Sequence, residues 1–287
     1  MDEMVGKSVD NVVDSPVDKA VDKAADDAAH DAAGEAGHEQ VLTGGNTTGV
    51  VRVGDTVHRA AGPWTPTIQR LLAHVRAAGM TEVPEPLGVD DRGREIVSYL
   101  PGDVPGWPAP TWLWSEDVLV EAGRLLRGFH DATAGFDRSD AAWRVPATEP
   151  AEVICHNDAA PYNMVFRDGR LVGLIDLDTA SPGPRVLDLA YLAYRIAPFS
   201  GDAFAGVGYD VGHLEPMARL DTLTAAYGSP FRRVEVLRAM VGKLGDLAGW
   251  SVARADDGGP AELREHAAMY RADARRIAAL ADAEERG

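Results

Sequence analysis

The chain has 287 residues, 45 of them acidic and 28 basic, for a net charge of −17. That length suits one two-lobed unit or two small domains with a real core, and the charge argues against nucleic acid as a partner and favours a cationic small molecule over an anionic one. A single cysteine, Cys155, excludes an internal disulfide and fits a reducing cytoplasm. No apolar run approaches the roughly 20 residues of a membrane helix, and the acidic amino terminus lacks the basic and apolar regions of a signal peptide, so a cytoplasmic protein with no membrane contact is expected.

Residues 1–40 hold eleven acidic side chains against three lysines and repeat Val-Asp and Asp-Ala-Ala patterns. They contain no aromatic residue, leucine or isoleucine to offset the entropy of ordering, so they read as a disordered acidic tail. Residues 41–104 read as a strand-rich lobe with one helix. The loop Thr43 to Gly49 carries Gly44 and Gly45, and a glycine-containing loop between strands can bring backbone N–H groups close to phosphates. Val50 to Val53 and Thr56 to Arg59 are strands joined at Gly54-Asp55, which places His58 and Arg59 on opposite faces. A helix follows, with Thr65 as its cap, Pro66 in first position, Ile68, Leu71, Leu72 and Val75 on one face, and Gly79 as its stop. Val83 to Pro86 turns the chain, and Glu95 to Leu100 is a strand ending at Pro101-Gly102.

From residue 105 to 287 the chain reads as mostly helical. Trp107, Trp112 and Trp114 lie in a Pro-containing segment suited to packing at a lobe junction. Ser115 caps a helix whose stripe is Leu119, Ala122, Leu125, Leu126 and Phe129. Next come His156, Asp158 and Asn163, then two apolar runs joined by Arg167-Asp168-Gly169-Arg170, then Asp176 and Asp178. Asp-Gly between apolar runs is a strong hairpin signal. Pairing Met164 to Phe166 with Leu171 to Ile175 brings Asn163 beside Asp176, with Asp158 one short loop away. An amide and carboxylates at one hairpin end make a hard-oxygen site suited to Mg²⁺, and a third carboxylate close by can handle a proton. Cys155, at the end of an apolar run, reads as a small buried hydrophobe. Asp188 reads as the cap of an apolar helix, residues 199–212 as a Gly-rich loop, and three helices follow near 213–227, 230–255 and 260–284.

His156-x-Asp158-x-x-x-x-Asn163 followed by Ile175-Asp176, together with Pro184 to Ala190, resembles the aminoglycoside phosphotransferase and choline kinase-like family, whose loop reads H-G-D-x-x-x-x-N. The resemblance implies an α+β, two-lobed protein kinase-like fold, with a small β-rich N-lobe carrying one main helix and a larger, mostly helical C-lobe. It implies a phosphotransferase that uses ATP or GTP with Mg²⁺. Asp158 would then act on the acceptor hydroxyl, and Asn163 and Asp176 would bind metal, with Asp178 a candidate second ligand. His156 would be structural support, and Asp188 would brace the loop. Gly44 and Gly45 would lie in the nucleotide-covering loop, and Ser98, Tyr99 and Leu100 at the hinge would meet the base. Where the family places a phosphate-binding Lys steadied by a helix Glu, this chain offers Arg59 and a helix without Glu, with Arg52 as the competing cation. Asn157 replaces the family's Gly, and Asn tolerates left-handed backbone angles better than most residues.

The expected activity is therefore transfer of a γ-phosphoryl group to a hydroxyl of a small cationic acceptor, such as an aminoglycoside or amino-alcohol. Two rivals stay open. A metal-dependent hydrolase would use His156, Asp158, Asp176 and Asp178 as ligands but leaves Asn163 without a role. A weakly active or inactive nucleotide-binding scaffold would explain the missing Lys and Glu but has no need of Asp158.

Overall fold

The computed structural model describes residues 39–42, 49–106, 109–200, 214–228 and 230–286. Most of the expected tail, the loop carrying Gly44 and Gly45, Trp107, and Asp202 and Asp210 of the Gly-rich loop lie outside the described residues.

The small lobe is an antiparallel five-stranded sheet over one helix. Its strands are β1 (Glu39–Val41), β2 (Val51–Val53), β3 (Thr56–Ala60), β4 (Pro86–Val89) and β5 (Arg94–Ser98), in the order β1-β2-β3-β5-β4. Glu39 and Gln40, grouped with the tail in the sequence reading, instead pair with Val53 and Arg52. The Glu39 carboxylate is held by Arg92 and Arg94, which gives an acidic residue a place on the sheet edge. Pro86, expected to close the turn from Val83, instead opens β4. β4 is an edge strand whose register shifts between Pro86 and Gly88, where such residues are tolerated.

Helix α1 (Thr65–Ala77) packs its Ile68, Leu71, Leu72 and Val75 stripe fully into the core. Burying each of these side chains contributes about 2 kcal/mol. Gly79, at φ 99°, closes the helix as expected. Thr65 does not cap it: Trp64 holds the cap position, and the Thr65 hydroxyl accepts the Gly62 N–H at 2.9 Å, tightening the turn into the helix.

The chain then crosses to the larger lobe. Asp103 exchanges two backbone hydrogen bonds with Phe166, at 2.7 and 2.8 Å, so the crossover is fastened to the central hairpin. Gly102 permits that approach, since a Cβ there would lie 2.5 Å from the Phe166 carbonyl oxygen. Trp114 is buried and Trp112 packs on Phe166 with ring centroids 4.8 Å apart, in keeping with a junction role. Helix α2 (Glu116–Ala132) starts where Ser115 Oγ accepts the Val118 N–H, and it buries Leu119, Ala122, Leu126 and Phe129.

Next come β6 (Val153–Cys155), the hairpin β7 (Met164–Arg167) and β8 (Arg170–Leu174), and β9 (Ser181–Gly183), which pairs with β6. Asp168 and Gly169 turn the hairpin at φ 52° and 74°, both positive as a two-residue I′ turn requires. Helices α3 (Arg185–Ile196), α4 (Pro216–Tyr227), α5 (Arg233–Asp256) and α6 (Leu263–Arg286) complete the lobe. Their core is aromatic, with Tyr191, Tyr194, Phe199, Tyr227 and Tyr270 all buried. None of the helices among the described residues is long and apolar enough to cross a membrane.

Candidate active site

The open end of the β7–β8 hairpin faces the small sheet across a cleft of about 370 Å³. Met164 pairs with Leu174, so Asn163 meets Ile175, one residue before the expected Asp176: Asn163 carbonyl oxygen accepts the Ile175 N–H at 2.9 Å. Asp176 follows at φ 64°, a left-handed angle that costs a non-glycine residue about 1 kcal/mol and redirects the chain into a short turn over Leu177–Thr179. That turn returns Asp178 to the same cleft.

Asp158 and Asn163 are joined directly. Asn163 Nδ2 donates to Asp158 Oδ2 at 2.8 Å and to the Asp158 carbonyl oxygen at 2.9 Å, while Tyr162 hydroxyl donates to Asp158 Oδ1 at 2.6 Å. Tyr162 in turn shares a 2.8 Å hydrogen bond with Tyr191. Burial, with the Asp158 charge beside it, pushes the Tyr162 phenol well above its usual range, so it remains a donor.

The loop is held from behind. His156 Nε2 donates to Ile175 carbonyl oxygen at 2.9 Å and its Nδ1 accepts the Asp158 N–H at 3.3 Å, which fits the tautomer protonated at Nε2. Asn157 adopts φ 66°, and its amide donates to Thr179 carbonyl oxygen and Ser181 Oγ. Asp188 is not a helix cap. Pro184 holds that position, and Asp188, in the first turn of α3, accepts the backbone N–H groups of His156 at 2.5 Å and Asn157 at 2.7 Å, and His130 Nε2 at 3.0 Å. Burial alone would raise its pKa, but the His130 hydrogen bond and the neighbouring His156 outweigh it and hold the carboxyl below its ordinary range. Cys155 is fully buried with its thiol against the Pro184 carbonyl, and burial pushes its pKa far up, which suits packing and not nucleophilic attack.

Above the hairpin, Arg59 reaches down from β3. Its Nε donates to Glu95 Oε2 at 2.7 Å, Nη1 to Asp176 Oδ1 at 3.0 Å, and Nη2 lies 2.5 Å from Asp178 Oδ1. Burial works against its charge, yet Asp178, Glu95 and Asp176 outweigh that effect and the guanidinium stays protonated. Asp178 feels the opposite balance: burial raises its pKa more than Arg59 lowers it. His58 points to the other face of β3 and pairs with Asp90 at 3.0 Å. Arg52, the competing cation, lies over the Tyr99 ring, 3.8 Å from its centroid, and away from these carboxylates.

Ser98, Tyr99 and Leu100 line the cleft. Ser98 N–H donates to Glu85 carbonyl oxygen, its hydroxyl accepts the Glu85 N–H, and Tyr99 N–H donates to Asp55 carbonyl oxygen. The backbone donors of these two residues are therefore engaged within the lobe.

Three participants escaped the sequence reading. Glu95 sits directly opposite Arg59 in the β3–β5 register, a partnership that only strand pairing reveals. Arg144 comes from an irregular loop, stacks over Trp64 at 4.7 Å and lies 3.6 Å from Asp178 Oδ2. Tyr162 falls inside the loop motif at a position that carries no signal of its own.

The donor set suits a hard divalent cation. Asp158, Asp176 and Asp178 line the cleft, with Arg59 against Asp176 and Asp178 and Arg144 against Asp178; Glu95 is committed to Arg59 and Gln69. Asn163 donates through Nδ2 to Asp158, and its carboxamide oxygen is the atom chemically suited to a hard cation. Oxygen-only ligands of this kind match Mg²⁺ and not a softer metal. The buried trio His130, Cys155 and Asp188 also lies close together, but its histidine and carboxylate are engaged in the loop brace.

Comparison with known proteins agrees with this geometry. Residues 140–223 match the model of the Phosphotransferase enzyme family, APH. The chain is similar to the trifolitoxin immunity protein of Rhizobium leguminosarum bv. trifolii, at 39% identity over 174 residues, which is 58% of this chain and 65% of that protein. The match thus spans just under two thirds of the curated relative. Among solved structures, a choline/ethanolamine kinase family protein from Mesorhizobium loti superposes with a TM-score of 0.61 at 19% identity, covering 85% of this chain and 89% of that one. The streptomycin–ATP–APH(2″)-IIa ternary complex gives 0.52 at 13% identity, covering 81% and 93%. The chain accordingly has the two-lobed protein kinase-like fold that the family resemblance implied.

Proposed function

We propose that the protein is a small-molecule phosphotransferase that moves the γ-phosphoryl group of a nucleoside triphosphate to a hydroxyl group. The observation that carries this reading is the joined Asp158–Asn163 pair lining one cleft with Asp176, beneath a half-buried arginine that reaches Asp176. In this reading Asp158 receives the hydroxyl proton as the acceptor oxygen bonds to the γ-phosphorus and the bridge to the β-phosphate breaks. Tyr162 and Asn163 hold one carboxylate oxygen each, and a carboxylate oxygen keeps a second lone pair for the proton. Asn163 Oδ1 and the Asp176 carboxylate would hold Mg²⁺, with Asp178 as the further candidate; the ion would supply charge neutralisation across the phosphates. Arg59 would bind phosphate oxygens. The base would lie against Val57, Val97 and Tyr99, with its hydrogen bonds made to the Leu100 backbone.

Hydrolase chemistry fits less well. His156 has both ring nitrogens committed to the loop, so it is not placed as a ligand. A scaffold without turnover would not need Asp158 fixed at both oxygens.

The test is thermal stabilisation by ATP and by GTP, with Mg²⁺ and with a chelator, followed by transfer of labelled phosphate to a panel of amino-sugars and amino-alcohols. Mg²⁺-dependent stabilisation with transfer supports the reading. Stabilisation by Zn²⁺ and not by nucleotide contradicts it.

The curated relative adds a biological setting, in which the chain protects a cell from a toxin. Expression of the native chain and of Asp158→Asn in a toxin-sensitive strain separates two forms of that setting. Protection lost with Asp158→Asn assigns it to phosphoryl transfer, and protection retained assigns it to binding.

A further inference from the structure

The Arg59 guanidinium enters the cleft from a sheet, on a long side chain whose reach and rotamer freedom would blur its aim unless something fixes it. Two side chains behind it do so. Glu95, 1% exposed, stands opposite Arg59 across β3 and β5, and its Oε2 accepts the Nε–H at 2.7 Å. Its other oxygen accepts Gln69 Nε2 of α1 at 2.8 Å. Gln69 is itself oriented: its Oε1 accepts the Gly88 N–H of β4 at 2.9 Å, and its Nε2 also reaches Ile96 carbonyl oxygen at 3.3 Å. The Gly88 N–H requires an acceptor and Glu95 requires a donor, so the carboxamide can face only one way. A glutamate at position 69 would instead oppose Glu95 with like charge.

We propose that Glu95 and Gln69 are positioning residues for the nucleotide, holding Arg59 by its Nε so that both terminal nitrogens face the phosphates. The chain Gly88–Gln69–Glu95–Arg59 crosses β4, α1, β5 and β3, tying the aim of one cation to the packing of the whole small lobe. Glu95 binds the one edge of the guanidinium that phosphate does not need. The two terminal nitrogens, which face Asp176 and Asp178, are the pair suited to bidentate contact with phosphate oxygens. The inference rests on the phosphotransferase reading.

The test is calorimetric binding of Mg²⁺-ATP and of adenosine to the native chain, Glu95→Gln, Glu95→Gln with Gln69→Glu, Arg59→Ala, and Arg59→Ala with Glu95→Gln. Glu95→Gln is expected to weaken ATP binding about tenfold, the equivalent of one charge-assisted hydrogen bond, and to leave adenosine unchanged. Adding Gln69→Glu, which returns a carboxylate to the network, is expected to recover part of the loss. Adding Glu95→Gln to Arg59→Ala is expected to cost ATP nothing further. Unchanged ATP affinity in Glu95→Gln, or an equal loss for adenosine, overturns the inference while leaving the function standing. A native chain that binds no ATP overturns the function, and the inference with it.

Discussion

Asn163 donates its carboxamide N–H to Asp158 Oδ2 at 2.8 Å, so the amide read as a metal ligand and the carboxylate read as a proton acceptor form one unit. Tyr162 completes it from the other oxygen at 2.6 Å. A carboxylate held on both sides cannot swing away from a hydroxyl brought to it, and under the proposed function orientation of this kind is a large part of what the site contributes.

Tyr162→Phe removes the hydroxyl from Asp158 Oδ1 and from Tyr191 while keeping the ring in the core. A hydrogen bond to a charged group is worth about 2 kcal/mol. The expected outcome in steady-state kinetics is kcat lowered by about tenfold or more, with the nucleotide KM little changed. A matching rise in nucleotide KM would place Tyr162 in the binding of nucleotide.

Asp188→Ala leaves two backbone N–H groups and the buried His130 without their acceptor. The cost should be roughly 3 kcal/mol in urea unfolding. The pH dependence has a definite sign. Because the folded-state pKa of Asp188 lies below its unfolded value, its contribution is fully present above about pH 4 and is lost as pH falls through the depressed folded value. The Asp188→Asn variant should therefore lose stability less steeply than the native chain below about pH 4.

The parts of this arrangement that were readable in the sequence are those set by local rules. Asp168-Gly169 announced the hairpin, and the hairpin brought Asn163 opposite Ile175, with Asp176 the next residue; Ser115 announced its helix. The unread parts depend on pairing between distant segments. Glu95 looked like an ordinary strand residue because nothing local tells which side chain lies across from it in β3. Pro86 and Gly88 in β4, and Ser181-Pro182-Gly183 in β9, are strands formed only because a partner strand is present. Arg144 comes from a loop with no periodic signal, and Thr65 and Asp188 carry cap-type side chains whose hydrogen bonds go elsewhere.

Asn157 separates two effects usually confounded. At φ 66° glycine is unstrained, whereas alanine is strained and, like glycine, loses the amide contacts to Thr179 and Ser181. Asn157→Ala should therefore be less stable than Asn157→Gly by about 1 kcal/mol, the reverse of the order at an exposed helical site, and thermal unfolding of the two variants checks it.

Cys155 should be silent toward thiol reagents in the folded chain, since it is fully buried and its pKa is raised by that burial. Labelling by an aromatic disulfide should proceed at the rate of unfolding and accelerate in urea. Fast labelling in buffer would mean that the loop brace opens in the native state.

The central claim concerns Asp158, and its most direct test is single-turnover phosphate transfer by Asp158→Asn beside calorimetric binding of Mg²⁺-nucleotide, once an acceptor is found in the panel. Asn at this position keeps the shape but not the charge that receives the proton. The account predicts a loss of at least about 10²-fold in the transfer rate with nucleotide affinity within a few-fold of the native chain. Transfer at the native rate by Asp158→Asn would contradict it.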